Sequence, residues 1–252
     1  MSPERRWEAV GYKYQDEEDN AMKNGKLYGI GVGPGDPELM TLKAVRMIKE
    51  ADVVALPAKT KEECVAYRIA KGAVEEIDQK EFLFISMPMT KDRAVLEKSH
   101  DEGALQVISL LKEGKNVAFL TLGDVAVYST YLYIHRRVTA AGYETELVSG
   151  IPSFCAAAAR LGIGLVETKE ALHVIPATYG VEEALSLSGT KILMKSGKKM
   201  SRVKKALLEK GCEAYMVENC GMENEKVYRS AEEIDENAGY YSLLIVKEAN
   251  HG

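Results

Sequence analysis

Short apolar runs alternate with longer amphipathic segments along the chain from about residue 24 onward. The short runs predict strands, and the periodic apolar positions of the longer segments predict helices. The predicted strands are Leu27–Val32, Asp52–Leu56, Phe82–Ser86, Asn116–Leu122, Glu144–Val148, His173–Ala177, Lys191–Met194, Glu213–Glu218 and Ser242–Lys247. The predicted helices are Leu39–Ala51, Cys64–Ile77, Lys91–Glu113, Val127–Ala141, Ser153–Leu161, Val181–Leu187 and Ser201–Lys210. This alternation is typical of an α/β fold, in which crossover helices connect the strands.

The strands of the second half follow one another more closely. The segment KVYRSAEEIDENAGYYSLLIVKE, residues 226–248, predicts a terminal pair of antiparallel strands around a polar connection. We therefore expect a mixed sheet in this half. The segment VSGIPS, residues 148–153, predicts a domain junction, with one α/β domain at residues 24–148 and another at 149–252.

The first 23 residues are charged and have no apolar period, which predicts a disordered extension. They lack the apolar stretch of a signal peptide, and no apolar run reaches the roughly 18 residues of a membrane span. We therefore expect a cytoplasmic protein with no membrane partner.

Composition and charge exclude some classes of function. At 252 residues, with 46% hydrophobic residues, the chain is long enough for one large or two ordinary domains. The formal charge of −5 disfavours a nucleic-acid partner, which calls for a basic face. The four cysteines form no CxxC pair and the four histidines are scattered. This spacing predicts reduced structural thiols and no protein-bound metal, and it disfavours a metal-dependent hydrolase.

The stretch LYGIGVGPGDPELMTLKA, residues 27–44, has glycine at every second position from Gly29 to Gly35. It contains neither the GxGxxG nor the GK[ST] pattern of phosphate-binding loops. Pro34 also lacks an N–H group, which makes the loop a poor set of donors for phosphate. Two interpretations stay open: a plain strand, turn and helix, or glycines that let a ligand approach the backbone.

The residues after these glycines predict the start of a helix. Asp36 is of the type found at N-caps, and Pro37 is of the type found at the first helical position. Leu42, Val45 and Ile48 then recur at helical spacing. We expect the helix to begin directly after the glycine loop.

Residues that follow the predicted strands are candidates for chemistry, because ligands of α/β sheets bind at the carboxyl ends of strands. In NVAFLTLGDVAVYST, residues 116–130, Gly123 and Asp124 follow a buried strand and Tyr128 lies beyond them. Asp124 is either a helix N-cap or a ligand-binding group. In GIPSFCAAAARLG, residues 150–162, the alanines allow either close helix packing or contact with a ligand.

Three strand ends of the second half carry small or soft residues: Met194 with Lys195, Asn219 to Gly221, and Ser242 with Leu243. Each of them alone is weak support for a site. A methionine at such a position is more often core filler, and Cys220 is of a type that is more often an inert buried thiol.

Three stretches together, GVGPGDPELMTLKA, FLTLGDVAVYST and GIPSFCAAAARLG, resemble the tetrapyrrole methylases, which methylate corrin precursors with S-adenosylmethionine. The resemblance covers about Lys26 to Lys247, with the three motifs in family order and at family-like spacing. TLGDVAVYSTYLYI and YYSLLIVK are similar to the branch that methylates C20 of precorrin-2 or its cobalt complex. Val125 departs from this pattern, since many members have proline there, and residues 1–23 lie outside it.

The resemblance implies two α/β domains with the active site in the trough between them, and a homodimer. It implies S-adenosylmethionine as methyl donor and a tetrapyrrole substrate, to which any cobalt would belong. The proline-interrupted loop would face the tetrapyrrole, through Gly31, Gly33, Pro34 and Gly35. The cofactor would be held mainly by backbone and small side chains, at Leu122, Gly123, Asp124, Tyr128, Ser153, Phe154, Met194, Cys220, Ser242 and Leu243.

Methyl transfer from a sulfonium needs alignment more than an acid or a metal. Asp36, Asp124 and Tyr128 are the polar candidates for a catalytic role, and the residues alone do not assign a general base. Lys91 and Arg93 are candidates for binding the carboxylates of the substrate, or they form a solvated helix start.

Three other functions remain as alternatives. One is a different step on a tetrapyrrole, such as methylation of uroporphyrinogen III. Another is methylation of RNA or of a protein by a member of the same superfamily, although the acidic charge counts against RNA. The last is a tetrapyrrole or nucleotide binder without catalytic activity.

Overall fold

The structure is a computed structural model, which describes residues 24–176 and 180–248. The predicted extension, residues 1–23, and Ala177 at the end of a predicted strand lie outside the described residues. The chain divides into two compact units. Unit 1 comprises the residues up to Gly33 and Pro37–Gly150, and unit 2 comprises Pro34–Asp36 and the residues from Ile151 onward. The domain division at 148/149 itself stays a prediction.

Unit 1 is a parallel sheet with helices between its strands. The strands pair in the order β3-β2-β4-β1-β5, so that all five carboxyl ends lie at one edge of the sheet. The strands are β1 Leu27–Gly31, β2 Val53–Leu56, β3 Glu81–Phe84, β4 Val117–Thr121 and β5 Thr145–Val148. The helices are α1 Leu42–Glu50, α2 Val65–Ala73, α3 Arg93–Lys112 and α4 Tyr131–Ala140, with 3₁₀ turns at Pro37–Leu39 and Glu75–Gln79.

The composition of β4 explains its central place in unit 1. All five residues of VAFLT are buried, as expected for a strand covered by helices on both faces. Phe119 of β4 packs against Tyr131 of α4, with ring centroids 5.3 Å apart. This contact packs the first residue of α4 against the strand that the loop leaves.

Unit 2 contains the mixed sheet that the sequence predicts. Its strands pair in the order β6-β7-β10-β8-β9, with β6 parallel to β7 and the other pairs antiparallel. The strands are β6 Leu172–Pro176, β7 Thr190–Met194, β8 Glu213–Glu218, β9 Lys226–Tyr228 and β10 Ser242–Lys247. The helices are α5 Ser153–Leu161, α6 Val181–Ala184 and α7 Met200–Lys210, with a 3₁₀ turn at Gly197–Lys199. The α/β fold class is thereby confirmed.

The predicted terminal pair of antiparallel strands is wrong. β9 and β10 do not pair with each other, because β8 lies between them. β10 is buried along nearly its whole length and suits the centre of the sheet, whereas the short, half-exposed β9 suits an edge.

Two helices begin three or four residues later than predicted. α1 begins at Leu42 and is capped by Thr41, whose Oγ1 accepts a hydrogen bond from Ala44 N at 3.1 Å, so Asp36 is not its N-cap. Leu42 is 91% exposed, and the buried stripe of α1 runs through Ala44, Met47 and Ile48 instead. α4 begins at Tyr131 and not at 127.

Candidate active site

The loop after β1 and the loop after β4 are joined by backbone hydrogen bonds. Gly33 N donates to Gly123 O at 3.2 Å, and Gly123 N donates to Gly33 O at 2.8 Å. Two of the three motifs of the sequence therefore meet at the carboxyl edge of the unit 1 sheet.

The third motif reaches the same place through Gly150. A Cβ on Gly31 would lie 2.5 Å from Gly150 N and 2.7 Å from Gly123 O, both of which are backbone atoms. Glycine is needed at Gly31 because three strand ends approach one another without room for a side chain. This packing accounts for the glycine at position 31, and the approach of a tetrapyrrole to Gly31 stays a prediction.

Asp124 ties the ends of β4 and β5 together. Its Oδ1 accepts a hydrogen bond from Ala126 N at 2.8 Å, and its Oδ2 accepts one from Gly150 N at 3.0 Å. The residue is only 9% exposed. The helix N-cap interpretation of Asp124 is wrong, since the carboxylate caps a turn and α4 begins seven residues further on.

Tyr128 occupies the most unusual backbone conformation of the loop after β4. Its φ is +49°, a left-handed value that L residues rarely adopt outside constrained sites, and its side chain is 48% exposed. Ser129 anchors the loop beside it, because the Ser129 Oγ lies 3.1 Å from Thr121 Oγ1 and accepts from Tyr131 N at 3.2 Å. Leu122, Gly123, Asp124 and Tyr128 therefore share one loop, held by buried polar contacts.

A second group of predicted cofactor residues gathers in unit 2. β7 and β8 both run antiparallel to β10, so their carboxyl ends lie at the same edge as the amino end of β10. Met194 stands opposite Leu243, and Glu218 stands opposite Ser242. Cys220 follows two residues after β8. Phe154, in the first turn of α5, packs on the same apolar cluster as Met194, Leu243 and Cys220, and Ser153 begins that helix.

The strand ends of unit 2 share a backbone feature with the loop after β4. Lys195 directly follows β7 with a φ of +61°, and Asn219 directly follows β8 with a φ of +52°. Within the described residues, these two and Tyr128 are the non-glycine residues with a positive φ. Tyr128 is itself a predicted site residue, and Lys195 and Asn219 stand next to two others, Met194 and Cys220. Strained backbone is most often found at functional sites.

Pro34–Asp36 belongs to unit 2 and packs on the turn after β8. A Cβ on Gly35 would clash with Cys220 O, and a Cβ on Gly221 would lie 2.6 Å from Asp36 N. Burial, followed by the charge of Glu225, raises the pKa of the Cys220 thiol to about 11. The glycines of this loop are buried by the chain itself. That the loop faces a tetrapyrrole stays a prediction.

Lys91 and Arg93 lie in and after the loop that follows β3, at the carboxyl edge of the unit 1 sheet. Both are exposed. Asp92 between them caps α3, with its Oδ1 accepting from Ala94 N at 2.9 Å and Val95 N at 3.3 Å. A solvated helix start and a binding site for carboxylates both fit this geometry.

Two carboxylates that shape unit 2 were missed in the sequence. The buried Glu218 accepts a hydrogen bond from Gly239 N at 2.6 Å, and Ser242 Oγ donates to Gly239 O at 2.8 Å. Glu225 accepts from Gly221 N at 2.8 Å. Neither carried a signal, since a charged residue beside a strand end is ordinarily solvated.

The search for a metal site and for a membrane segment covers the described residues only. Among them, no three histidine, cysteine, aspartate or glutamate residues are grouped so as to hold a metal ion. No helix in ranges 24–176 and 180–248 combines the length and apolar character needed to cross a bilayer.

Residues 26–235 match the family described as Tetrapyrrole (Corrin/Porphyrin) Methylases. The chain is 38% identical over 232 residues to the probable cobalt-precorrin-2 C(20)-methyltransferase of Methanocaldococcus jannaschii, covering 88% of this chain and 96% of the relative. It is 31% identical to the cobalt-precorrin-2 C(20)-methyltransferase of Salmonella typhimurium, covering 89% and 97%. A uroporphyrinogen-III C-methyltransferase of Pseudomonas aeruginosa is 27% identical, covering 87% and 90%.

Solved structures share the fold. A cobalt precorrin-4 methyltransferase superposes with a TM-score of 0.70 at 21% identity, covering 88% of this chain and 94% of that one. A uroporphyrin-III C-methyl transferase of Thermus thermophilus, complexed with S-adenyl homocysteine, superposes with a TM-score of 0.62 at 21% identity, covering 89% and 98%.

Proposed function

Because the chain belongs to the tetrapyrrole (corrin/porphyrin) methylases, we propose that it transfers a methyl group from S-adenosylmethionine to C20 of precorrin-2 or cobalt-precorrin-2, in cobalamin biosynthesis. The observation that carries the proposal is the identity of 38% to the probable cobalt-precorrin-2 C(20)-methyltransferase of Methanocaldococcus jannaschii, over nearly the full length of that protein. The uroporphyrinogen-III relative in Pseudomonas is more distant at 27%.

The chemistry of the unit 2 strand ends suits S-adenosylmethionine. Phe154, Met194 and Cys220 are only partly buried and offer apolar surface beside the small residue Ser242. An apolar wall with a few polar groups is typical of cofactor sites. When bound there, S-adenosylmethionine supplies a methyl group already activated by a sulfonium sulfur.

The residues of the chain then have to bind and orient, because an activated methyl group needs alignment with the attacking carbon. Met194 and Leu243 stand opposite each other on the paired strands β7 and β10, so the backbone that carries them is already ordered before a ligand binds. In unit 1, the Asp124 carboxylate fixes the loop that carries Gly123 and Tyr128.

The proton that leaves C20 after methyl transfer needs an acceptor. Asp36, Asp124 and Tyr128 are the proposed catalytic residues. Asp124 has both carboxylate oxygens engaged with backbone N–H groups, which suits an anchor more than a base. The other two candidates are the carboxylate of Asp36, as the acceptor of the proton, and the hydroxyl of Tyr128, which takes up the proton while it releases its own to water.

The substrate is a tetrapyrrole with several carboxylates on its rim, and any cobalt it carries is part of the substrate. Lys91 and Arg93 bind these carboxylates. Light scattering of the purified protein measures the oligomeric state, and a monomer mass would contradict the expected homodimer.

A transfer assay with three acceptors tests the proposed reaction. The purified chain is incubated with S-adenosylmethionine carrying a ¹³C-methyl group and with precorrin-2, cobalt-precorrin-2 or uroporphyrinogen III. We expect one labelled methyl group, which carbon NMR assigns to C20 in one or both precorrin-2 substrates. Labelling of uroporphyrinogen III alone would identify the earlier methylation step instead, and no transfer to any acceptor would favour a binder without catalytic activity.

A further inference from the structure

The turn after β8, residues 219–225, carries an unusual amount of backbone constraint. Asn219 has a φ of +52° and Gly221 a φ of +74°. Met222 N donates to Asn219 O at 2.9 Å, and Glu225 N donates to Met222 O at 3.0 Å. The left-handed conformation is unfavourable for Asn219, which has a Cβ, and free for Gly221, so this part of the turn needs a contact that holds it in place.

Glu225 provides that support from within unit 2. One carboxylate oxygen, Oε2, accepts a hydrogen bond from Gly221 N at 2.8 Å. The other oxygen, Oε1, forms an ion pair with Arg160 Nε of α5. The side chain of Glu225 is only 14% exposed, whereas its two partners, Gly221 and Arg160, are exposed.

The carboxyl group of Glu225 is deprotonated at neutral pH. Burial works to raise the pKa of the carboxyl, but the Gly221 N–H bond and Arg160 together hold that pKa below its usual value. The carboxylate is therefore ionised throughout the physiological range.

The backbone that Glu225 holds is in contact with two groups of the proposed site. Cys220, one of the proposed cofactor residues, immediately precedes Gly221. Gly35 and Asp36 pack directly on Cys220 and Gly221, with no space for a side chain at Gly35 or Gly221. A shift of the turn would therefore move Cys220 and the Gly35–Asp36 segment together.

We infer that Glu225 is a positioning residue, which fixes the Cys220–Gly221 turn and, through it, both the cofactor wall at Cys220 and the segment Gly35–Asp36. The accepting oxygen toward Gly221 is the essential feature, and Arg160 is an auxiliary partner that orients the carboxylate. The inference rests on the proposed function, because it assumes that S-adenosylmethionine binds beside Cys220.

Four variants separate these roles: Glu225→Ala, Glu225→Met, Glu225→Gln and Arg160→Ala. Alanine and methionine remove the acceptor, and methionine keeps the side-chain volume. Glutamine keeps an acceptor for Gly221 N–H but loses the charge, and Arg160→Ala loses only the auxiliary partner. Glu223→Ala, at an exposed position in the same turn, is the matched control.

The measurements are the affinity for S-adenosylhomocysteine by calorimetry and the steady-state constants of methyl transfer. We expect Glu225→Ala and Glu225→Met to lose about tenfold in affinity, because the turn loses the acceptor that holds Gly221 N and the partner of Arg160. Their KM for S-adenosylmethionine should rise and their kcat should fall. Glu225→Gln and Arg160→Ala should stay within about threefold of the wild type, and Glu223→Ala should be unchanged.

Wild-type affinity in Glu225→Ala or Glu225→Met would overturn the inference, and so would an equal loss in Glu225→Gln. If the alanine variant fails to fold, the methionine variant decides. Unfolding of both would assign Glu225 to the stability of unit 2 and would also overturn it. Failure of the wild-type chain itself to bind S-adenosylhomocysteine would instead contradict the proposed function.

Discussion

Asp124 Oδ2 accepts a hydrogen bond from Gly150 N at 3.0 Å, although the two residues are separated by the whole of α4 and β5. The same carboxylate caps the turn at Ala126, so one side chain sets the path of two strand ends. Few polar side chains of unit 1 are as deeply buried. Asp124 thereby links the GD pair of one motif to the first glycine of another.

Asp124→Ala should therefore weaken binding as well as stability. The change leaves two backbone N–H groups without an acceptor, at a cost of about 1–3 kcal/mol for a buried group. We expect a lower midpoint of denaturant unfolding and weaker binding of S-adenosylhomocysteine. Asp124→Asn keeps one acceptor oxygen and should be intermediate in both measurements. An alanine variant that binds and unfolds like the wild type would remove Asp124 from the site.

Lys91 and Arg93 are tested together, because each exposed charge alone contributes little. Replacing both by glutamine should lower the affinity for precorrin-2 about threefold to tenfold at low salt and leave the affinity for S-adenosylhomocysteine unchanged. The difference from the wild type should shrink as salt screens the carboxylates of the substrate. Lys98→Gln, further along α3 and also exposed, is the control. Equal precorrin-2 affinity in the double variant and the control would mean that Lys91 and Arg93 form only a solvated helix start.

The Cys220 thiol reports on cofactor binding without any turnover. Since burial, followed by the charge of Glu225, raises its pKa to about 11, the reactive thiolate should form only as the pH approaches that value. Alkylation of Cys220 by iodoacetamide, followed by peptide mass spectrometry, should accelerate well above the pH at which an ordinary thiol reacts. S-adenosylhomocysteine should slow this alkylation and leave Cys212, before the amino end of β8, unaffected. Equal alkylation of Cys220 with and without the ligand would contradict a cofactor wall there.

The capping role of Thr41 makes a prediction about stability alone. Its Oγ1 accepts from Ala44 N and donates to Ser149 O at 3.4 Å, so Thr41→Ala removes the cap of α1 and a contact with the end of β5. We expect a loss of about 1 kcal/mol in the free energy of unfolding. Thr41→Ser keeps the hydroxyl and should unfold within a few tenths of a kcal/mol of the wild type. Identical unfolding of the alanine and serine variants would mean that the cap contributes nothing.

The backbone conformation of Gly33 limits how the glycine loop can be tested. Gly33 has a φ of +78°, so any larger side chain there strains the backbone whatever the loop faces. With a bulky residue at Gly33, weaker substrate binding could not be distinguished from a loss of the fold. The exposed pair Lys91 and Arg93 gives a cleaner measure of tetrapyrrole binding.

The sequence predicted the bounds of an element correctly where neighbouring residues determine them. α5 was predicted at its observed bounds, Ser153–Leu161, because Pro152 precedes a run of helix formers and Gly162 ends it in a left-handed conformation. α4 was placed four residues too early because apolar periodicity does not reveal that Tyr128 has a positive φ.

The sequence did not predict the pairing of strands that lie far apart along the chain. Nothing within residues 226–248 reveals that β8 separates β9 from β10, since that choice depends on which strand can be covered on both faces. The candidate site shows the same limit. Glycine and small residues at strand ends made Gly123, Cys220 and Ser242 candidates from the sequence, whereas Glu225 is identified only by the atoms that it contacts.

The strand order of unit 2 bears on how the protein is made. β10 pairs with both β7 and β8, yet it follows them in the chain, so a ribosome releases those two strands before the one that joins them. The unit 1 sheet, by contrast, has all its strands once residue 148 has emerged. Until β10 arrives, β7 and β8 each present an open edge of the kind that pairs with other chains. Nascent chains stalled shortly before residue 242 should therefore depend on chaperones far more than chains stalled before β6 or released complete.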